Sequence, residues 1–358
     1  MLPTSEKKIT FTALKNIVLI GGGDLMVASA HIFKNTGFNL SVISANRHID
    51  EKLVLKNDTL KAACSRLNLT SHTLNDINLL STEELSTIIP ENSMAICFGP
   101  AWIFNDKVIE IFHYGMFNIN AIPIPHYLGG AHYTWQLLNK NNEGGCFFQQ
   151  ITDKVDQGDI FAKHEFGISP TATTPNDYFI ENVEQGVCFI KKLAISLIEE
   201  TPFTPSPYKE LNEHRLYLPR LRTDKQAYIN WLWTAQNIVS FCQGFDAPYM
   251  GAASFIQNKE LRFKKMKLIT LTDNQNNDIP AMHPFCAGLV IRKIKKTAYT
   301  QIIVAAIGGF IELHNVYDEH GKCMKHIIKE GMRIHTPQKT LDEAISYHVS
   351  IDGQGFKD

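Results

Sequence analysis

The feature that most constrains this chain is a short apolar run that breaks into glycines near its start. Residues 16–21 read NIVLIG, the length and character of one buried strand. Gly21-Gly22-Gly23-Asp24 follows, then apolar residues at helical spacing over 25–33, then a second strand-like run, NLSVIS, over 39–44. Strand, glycine turn, helix and strand make a βαβ unit, and such a unit demands a parallel sheet. Apolar runs at 94–98 (MAICF), 116–119 (MFNI) and 146–151 (CFFQQI) supply further strands. In open α/β sheets ligands bind beyond the carboxyl ends of the strands. The candidate site therefore lies at the tips 98–102, 118–130 and 153–158. The glycine turn is not a dinucleotide fingerprint. Position 26, where G-x-G-x-x-G needs glycine, holds Met26, and no acidic residue closes the second strand.

The second half of the chain reads differently. Residues 201–208, TPFTPSPY, carry Pro202, Pro205 and Pro207 and have the composition of a linker. Ile229, Leu232, Ala235 and Ile238 fall at helical spacing, which predicts a helix over 229–241 with Trp231 in its core face. Beyond Pro248 the pattern shifts to short strands at 253–256, 261–263, 289–291, 302–306 and 310–313, with turns at Gln257-Asn258 and Gly308-Gly309. That is the signature of a small β-barrel or meander. The expected organisation is an α/β, Rossmann-like domain over 1–200 with a mostly parallel sheet, a Pro-rich linker over 201–212, and a smaller, mainly β, OB-like domain over 213–358.

Charge and cysteine usage narrow the function classes. Lys+Arg is 35 and Asp+Glu is 36, a net charge of −1, so no broad basic surface is expected to meet nucleic acid. The seven cysteines stand singly with no C-x-x-C pair, which suits reduced thiols in the cytoplasm and offers no metal-ligand spacing. The opening MLPTSEKKITF lacks the apolar core of a signal peptide. No apolar run approaches the roughly 18 residues of a spanning helix, so no membrane partner is expected.

The stretch 117–161 concentrates the chemistry. Asn118 and Asn120 leave a strand, and a Pro/His/Gly loop holds His126, Tyr127, Gly129 and His132. Asp153, Asp156 and Gly158 then follow the next strand. Singly, each residue has an ordinary explanation: a strand-end asparagine, a turn aspartate, a loop histidine. As an ordered set they resemble the catalytic block of the folate-dependent formyltransferases, whose pattern is Asn-x-His, a loop ending Pro-x-Tyr-x-Gly, and a later Asp-x-Gly. Asn118 matches the asparagine, Pro125, Tyr127 and Gly129 the loop, and Asp156 and Gly158 the last element. IVLIGGGD and CFGPAWIF resemble the family's first strand and the loop that approaches the pterin. Arg222-Thr223-Asp224, Ile229-Asn230-Trp231, Pro248-Tyr249-x-Gly251-Ala252, VAAIGGFIEL and KEGMRI resemble its accessory C-terminal domain, in wording nearest the sugar N-formyltransferases. One position departs. Where the family carries its catalytic histidine, this chain carries Asn120.

The resemblance implies a formyl transfer from 10-formyltetrahydrofolate to an amine, with a nucleotide-linked amino sugar as the small-molecule acceptor and a homodimer as one expected assembly. It implies that Asn118, Asn120 and Asp156 are catalytic. Gly99, Pro100, Trp102 and Asp153 would hold the folate, and His126, Tyr127, Gly129 and His132 the acceptor. Amine attack on a formyl carbon develops an oxyanion and releases a proton, so the site needs donors and a proton acceptor. Asn120 can donate a hydrogen bond but cannot carry a proton near neutral pH. Losing a general acid–base group costs about 10²–10⁴ in rate. A catalytically altered member acting on another amine or acyl group, and a binding protein, therefore stay open. Trp102 and Phe104 either wall the pterin or pack as core. Arg215, Arg220, Arg222 and Lys225 either meet a phosphorylated substrate or form a solvated face.

Overall fold

The computed structural model describes residues 8–55, 58–297, 299–352 and 355–357. Its first unit is built on β1 (Asn16–Gly21), α1 (Asp24–Asn35), β2 (Asn39–Ala45), β3 (Thr70–Leu74), β4 (Ser93–Phe98) and β5 (Met116–Asn120). The chain continues through α2 (His132–Leu138), β6 (Glu143–Gln150), β7 (Ile160–Gly167) and α3 (Pro175–Ile198). The seven strands lie in the order β3-β2-β1-β4-β5-β6-β7. The first five pair in parallel, and β6 and β7 are antiparallel additions at one edge. Ile17, Val18, Leu19 and Ile20 are fully buried on both faces, which is why β1 reads as an unbroken apolar run. Gly21 lets β1 finish against β4. A Cβ there would sit 2.1 Å from the Phe98 carbonyl oxygen, at a φ of 121°.

The second unit is an antiparallel sheet of β8 (Ala252–Ile256), β9 (Lys259–Ile269), β10 (Val290–Lys295), β11 (Thr300–Ala306) and β12 (Gly309–Tyr317). Its order is β8-β9-β12-β11-β10. Arg333 bridges Leu289 and His335 bridges Phe255, so the segment between them ties both edges of this sheet together. α4 (Ala235–Gly244) buries Ile238, Val239 and Cys242 on it. Thr134 on α2 donates to the Gly244 carbonyl at 2.8 Å and joins the two units.

Three expectations change. The helix over 229–241 starts only at Ala235. Upstream, Ile229 N–H donates to Ala253, Leu232 N–H turns onto Asn230 Oδ1, and the Thr234 side chain caps the helix through Asn237 N–H. Trp231 is core, but outside any helix, with its indole donating to Ser254 Oγ at 2.9 Å. The Gly308-Gly309 turn shifts by one, because Gly309 already pairs with Ala306 and opens β12. The Pro-rich stretch is not a free spacer. Phe203 is buried and exchanges backbone hydrogen bonds with Ile9.

Candidate active site

The site is assembled by register. β5 lies against β4 with Asn118 opposite Cys97, and against β6 with Asn118 opposite Gln149. Asn118 and Asn120 therefore leave the carboxyl end of β5 side by side with the strand that leads into the Asp156 turn. Asn120 Nδ2 donates to Asp156 Oδ1 at 3.3 Å. Asp156 adopts a left-handed φ of 55°. Gln149, fully buried on β6, fixes that turn by donating to the carbonyls of Asp156 at 3.1 Å and Gly158 at 2.9 Å. A glutamine following the apolar Cys146–Phe148 run of a buried strand was the signal for this role, and the sequence reading passed over it. Gly158 must be glycine, since a Cβ would stand 1.9 Å from the Gln150 carbonyl oxygen. Gly158→Ala is expected to cost about 1–3 kcal/mol of stability by overpacking, and to displace Asp156. A melting curve together with a turnover assay checks it.

The electrostatics separate the polar groups. Burial pushes the Asp156 carboxyl above its ordinary value. Asn118 Oδ1 is buried, and no hydrogen bond engages it. His132 is held down at about 4, by burial first and by Arg220 second, so its ring is neutral near physiological pH. His126 is half-buried, and its backbone N–H donates to Pro123. No described hydrogen bond joins either histidine to Asn120 or Asp156.

The loop after β5 is moulded by its neighbours. Tyr127 is buried at a φ of 60°, and burial raises its phenol. Leu128–Gly129 pairs with Tyr217–Leu218, and a Cβ on Gly129 would lie 2.2 Å from the Leu218 carbonyl oxygen. Beyond β4, Gly99 and Pro100 line a cleft of about 580 Å³ with Arg47, His48, Asp50, Glu51 and Arg220. Asp24, just past the glycine turn, accepts from Val54 and Leu55 N–H at 2.8 and 2.9 Å and anchors the segment that carries Arg47 and His48. His48 is held below its usual value by burial and then by Arg47. Arg47, His48, Asp50 and Glu51 have no local pattern of their own, so the sequence reading missed them.

Several expected members lie elsewhere. Trp102 is buried in the core with Phe104, and its indole N–H donates to the Asn75 carbonyl at 2.9 Å, so it does not wall the cleft. Asp153 is exposed on the turn ahead of Asp156. The four basic residues do not act as one set. Arg220 lines the cleft, Arg222 pairs with Asp224 at 2.7 Å, and Arg215 and Lys225 are exposed.

Comparison with known proteins gives this geometry a context. Residues 16–181 match the formyl transferase family model, and residues 222–327 match that of the formyl transferase C-terminal domain. Curated relatives include a methionyl-tRNA formyltransferase of Clostridium tetani, 25% identical over 187 residues, and one of Geobacter metallireducens, 26% identical over 192. Each match takes in 52% of this chain and only 58% of the relative's length. Among solved structures, the sugar 3N-formyl transferase WlaRD, crystallised with dTDP and 5-N-formyl-THF, superposes with a TM-score of 0.58 at 18% identity, covering 84% of this chain and 97% of its own. An N-formyltransferase from Helicobacter canadensis, in complex with folinic acid and dTDP-3-aminofucose, gives 0.57 at 16%, covering 85% and 100%. HypX from Aquifex aeolicus, with tetrahydrofolic acid, gives 0.53 at 13%, covering 92% and 48%.

Proposed function

Because this chain belongs to the formyl transferase family in both its N-terminal and C-terminal parts, we propose that it moves a formyl group from 10-formyltetrahydrofolate to the amine of a nucleotide-linked amino sugar. The observation that carries the reading is the 3.3 Å hydrogen bond from Asn120 to Asp156 at the end of β5. It keeps a carboxylate beside an amide donor even though the histidine is absent. The folate donor supplies the formyl carbon. Asn118 donates from its side-chain amide to the formyl oxygen as charge develops there. Asp156 takes the proton that leaves the attacking nitrogen, and burial strengthens its hold on that proton. Asn120 orients the carboxylate and carries no proton itself. The residues suit such ligands. An orphaned buried oxygen on Asn118 costs about 1–3 kcal/mol until a donor meets it, and pterin and amine N–H groups are such donors.

The acceptor class rests on two supports. The cleft beyond β4 presents Arg47 and Arg220, cations suited to a diphosphate. Of the three structures above, the two from sugar and N-formyltransferases cover this chain most evenly, and one holds dTDP and the other dTDP-3-aminofucose. A net charge of −1 favours a small molecule over tRNA. Titration calorimetry with folinic acid, and separately with thymidine and uridine diphosphates, tests the proposal. Both classes of ligand are expected to bind. Arg47→Ala and Arg220→Ala should each weaken the diphosphate about tenfold or more, the worth of one charge-assisted hydrogen bond, and leave folinic acid unaffected. No binding of folinic acid contradicts the proposal. Asn120 also favours a second reading, a ligand-binding relative without turnover. Binding without any product would mark it.

A further inference from the structure

The stretch that reads as a spacer supplies a buried tyrosine to the site. Ser206 exchanges backbone hydrogen bonds with Ile160, and Tyr208 N–H donates to Asp159 Oδ1 at 3.2 Å. Leu216 N–H donates to Pro125, and Leu218 accepts from Gly130 N–H, so this stretch grips the loop after β5. Tyr208 is 2% exposed. Its ring packs with Ile122, Ile124, Leu128, Phe147 and Ile160, beneath that loop and the strand that follows the Asp156 turn. Its hydroxyl is buried and has no hydrogen-bond partner. An unpaired buried hydroxyl is costly, and packing alone would be served better by phenylalanine. The charged groups around the ring are Asp156 and Arg215, while Asp159 is engaged by the backbone N–H. Burial, more than either charge, raises the phenol, and Asp156 raises it further, so the hydroxyl stays a donor.

The carboxylate has a matching need. Among the described residues the one donor to the Asp156 side chain is Asn120 Nδ2, on Oδ1. Its other oxygen accepts from no described residue, and a hydrogen bond to a carboxylate favours the ionised form and fixes its direction. Resting on the formyl-transfer reading above, we propose that Tyr208 is a positioning residue for Asp156, its hydroxyl donating to the carboxylate directly or through one water and holding it ionised and aimed at the acceptor nitrogen. In the step it serves, the acceptor N–C bond forms and the formyl C–N bond of the donor breaks. The proton leaving the acceptor nitrogen passes to Asp156 and from there to the departing nitrogen, so nothing is oxidised or reduced.

The test reads Asp156 without any substrate. Carbon-13 NMR of labelled aspartate carboxyls, with Asp156→Asn to assign the signal, follows its titration in the natural protein and in Tyr208→Phe. The titration is expected to move to higher pH in Tyr208→Phe. The acid limb of kcat/KM should move with it, and kcat should fall about ten- to hundredfold with KM unchanged, as for loss of a hydrogen bond to a charged group. Single-site 3-fluorotyrosine at 208 is a stronger donor of nearly the same shape. It should move the titration to lower pH, and it decides the matter if Tyr208→Phe does not fold. An Asp156 titration that stays put in both proteins overturns the proposal, whatever happens to Tm. Failure of the formyl-transfer reading shows separately, as no product from any variant while the NMR titration still responds to position 208.

Discussion

Asp156→Asn is expected to lower formyl transfer about 10²–10⁴-fold, the range for removing a positioned general acid–base group, while thermal stability at neutral pH holds or rises. Asparagine keeps an oxygen to accept from Asn120 Nδ2 and loses only the ability to take a proton. The stability sign follows from burial. Desolvation raises the Asp156 carboxyl above its unfolded value, so the folded chain binds this proton more tightly than the unfolded chain does. The favourable contribution is complete below the unfolded value and is lost as pH rises through the folded one. The substitution should thus be neutral in acid and stabilising at neutral pH, where a gain of 1 kcal/mol raises Tm by about 2–4 °C for a domain of 150–250 residues. Melting curves across the acid-to-neutral range, paired with turnover, check both halves. A variant that melts progressively lower as pH rises contradicts the assignment of a half-buried, ionising Asp156.

Asn120→His is expected to act in the opposite direction and raise the rate about ten- to a hundredfold near neutral pH, the lower part of the acid–base range. Asn120 ends β5 and already points a donor at Asp156 from 3.3 Å. An imidazole there can make the same contact and also titrate near neutrality. The gain should vanish in the double variant with Asp156→Asn, because the two groups would then act as a unit. Steady-state kinetics of the four proteins measures the coupling. A rate that falls on introducing histidine would mean that the site has been reshaped around the amide.

Legibility in the sequence follows burial. β1, β2 and β4 are covered on both faces, or nearly so, and write themselves as apolar runs. β3 is an edge strand of sequence TSHTL with no buried residue, so it leaves no such mark. β7 alternates after its first two residues, and its polar half hid it. Over 229–241 the helical spacing was real, but Asn230 and Thr234 each bond locally and break the first turn. Prolines 202, 205 and 207 announced an irregular chain correctly. What they concealed was Phe203 between them and Tyr208 just after them, both buried. The polar set Asn118, Asn120 and Asp156 was legible as an order of residue types, and the structure places Asn120 within hydrogen-bond distance of Asp156. An aromatic beside a glycine turn looks the same in sequence whether it lines a pocket or fills a core, and Trp102 packs with Phe104 in the core. Arg47, His48 and Gln149 escaped because only tertiary packing gives them a role.

The most direct measurement is mass spectrometry of the unmodified protein incubated with 10-formyltetrahydrofolate and a panel of nucleotide-linked amino sugars. The expected result is a formylated sugar from the natural chain, asparagine at 120 included, which disappears with Asp156→Asn. No formylated product from the natural chain with any member of the panel, under conditions where folinic acid binds, would contradict the account.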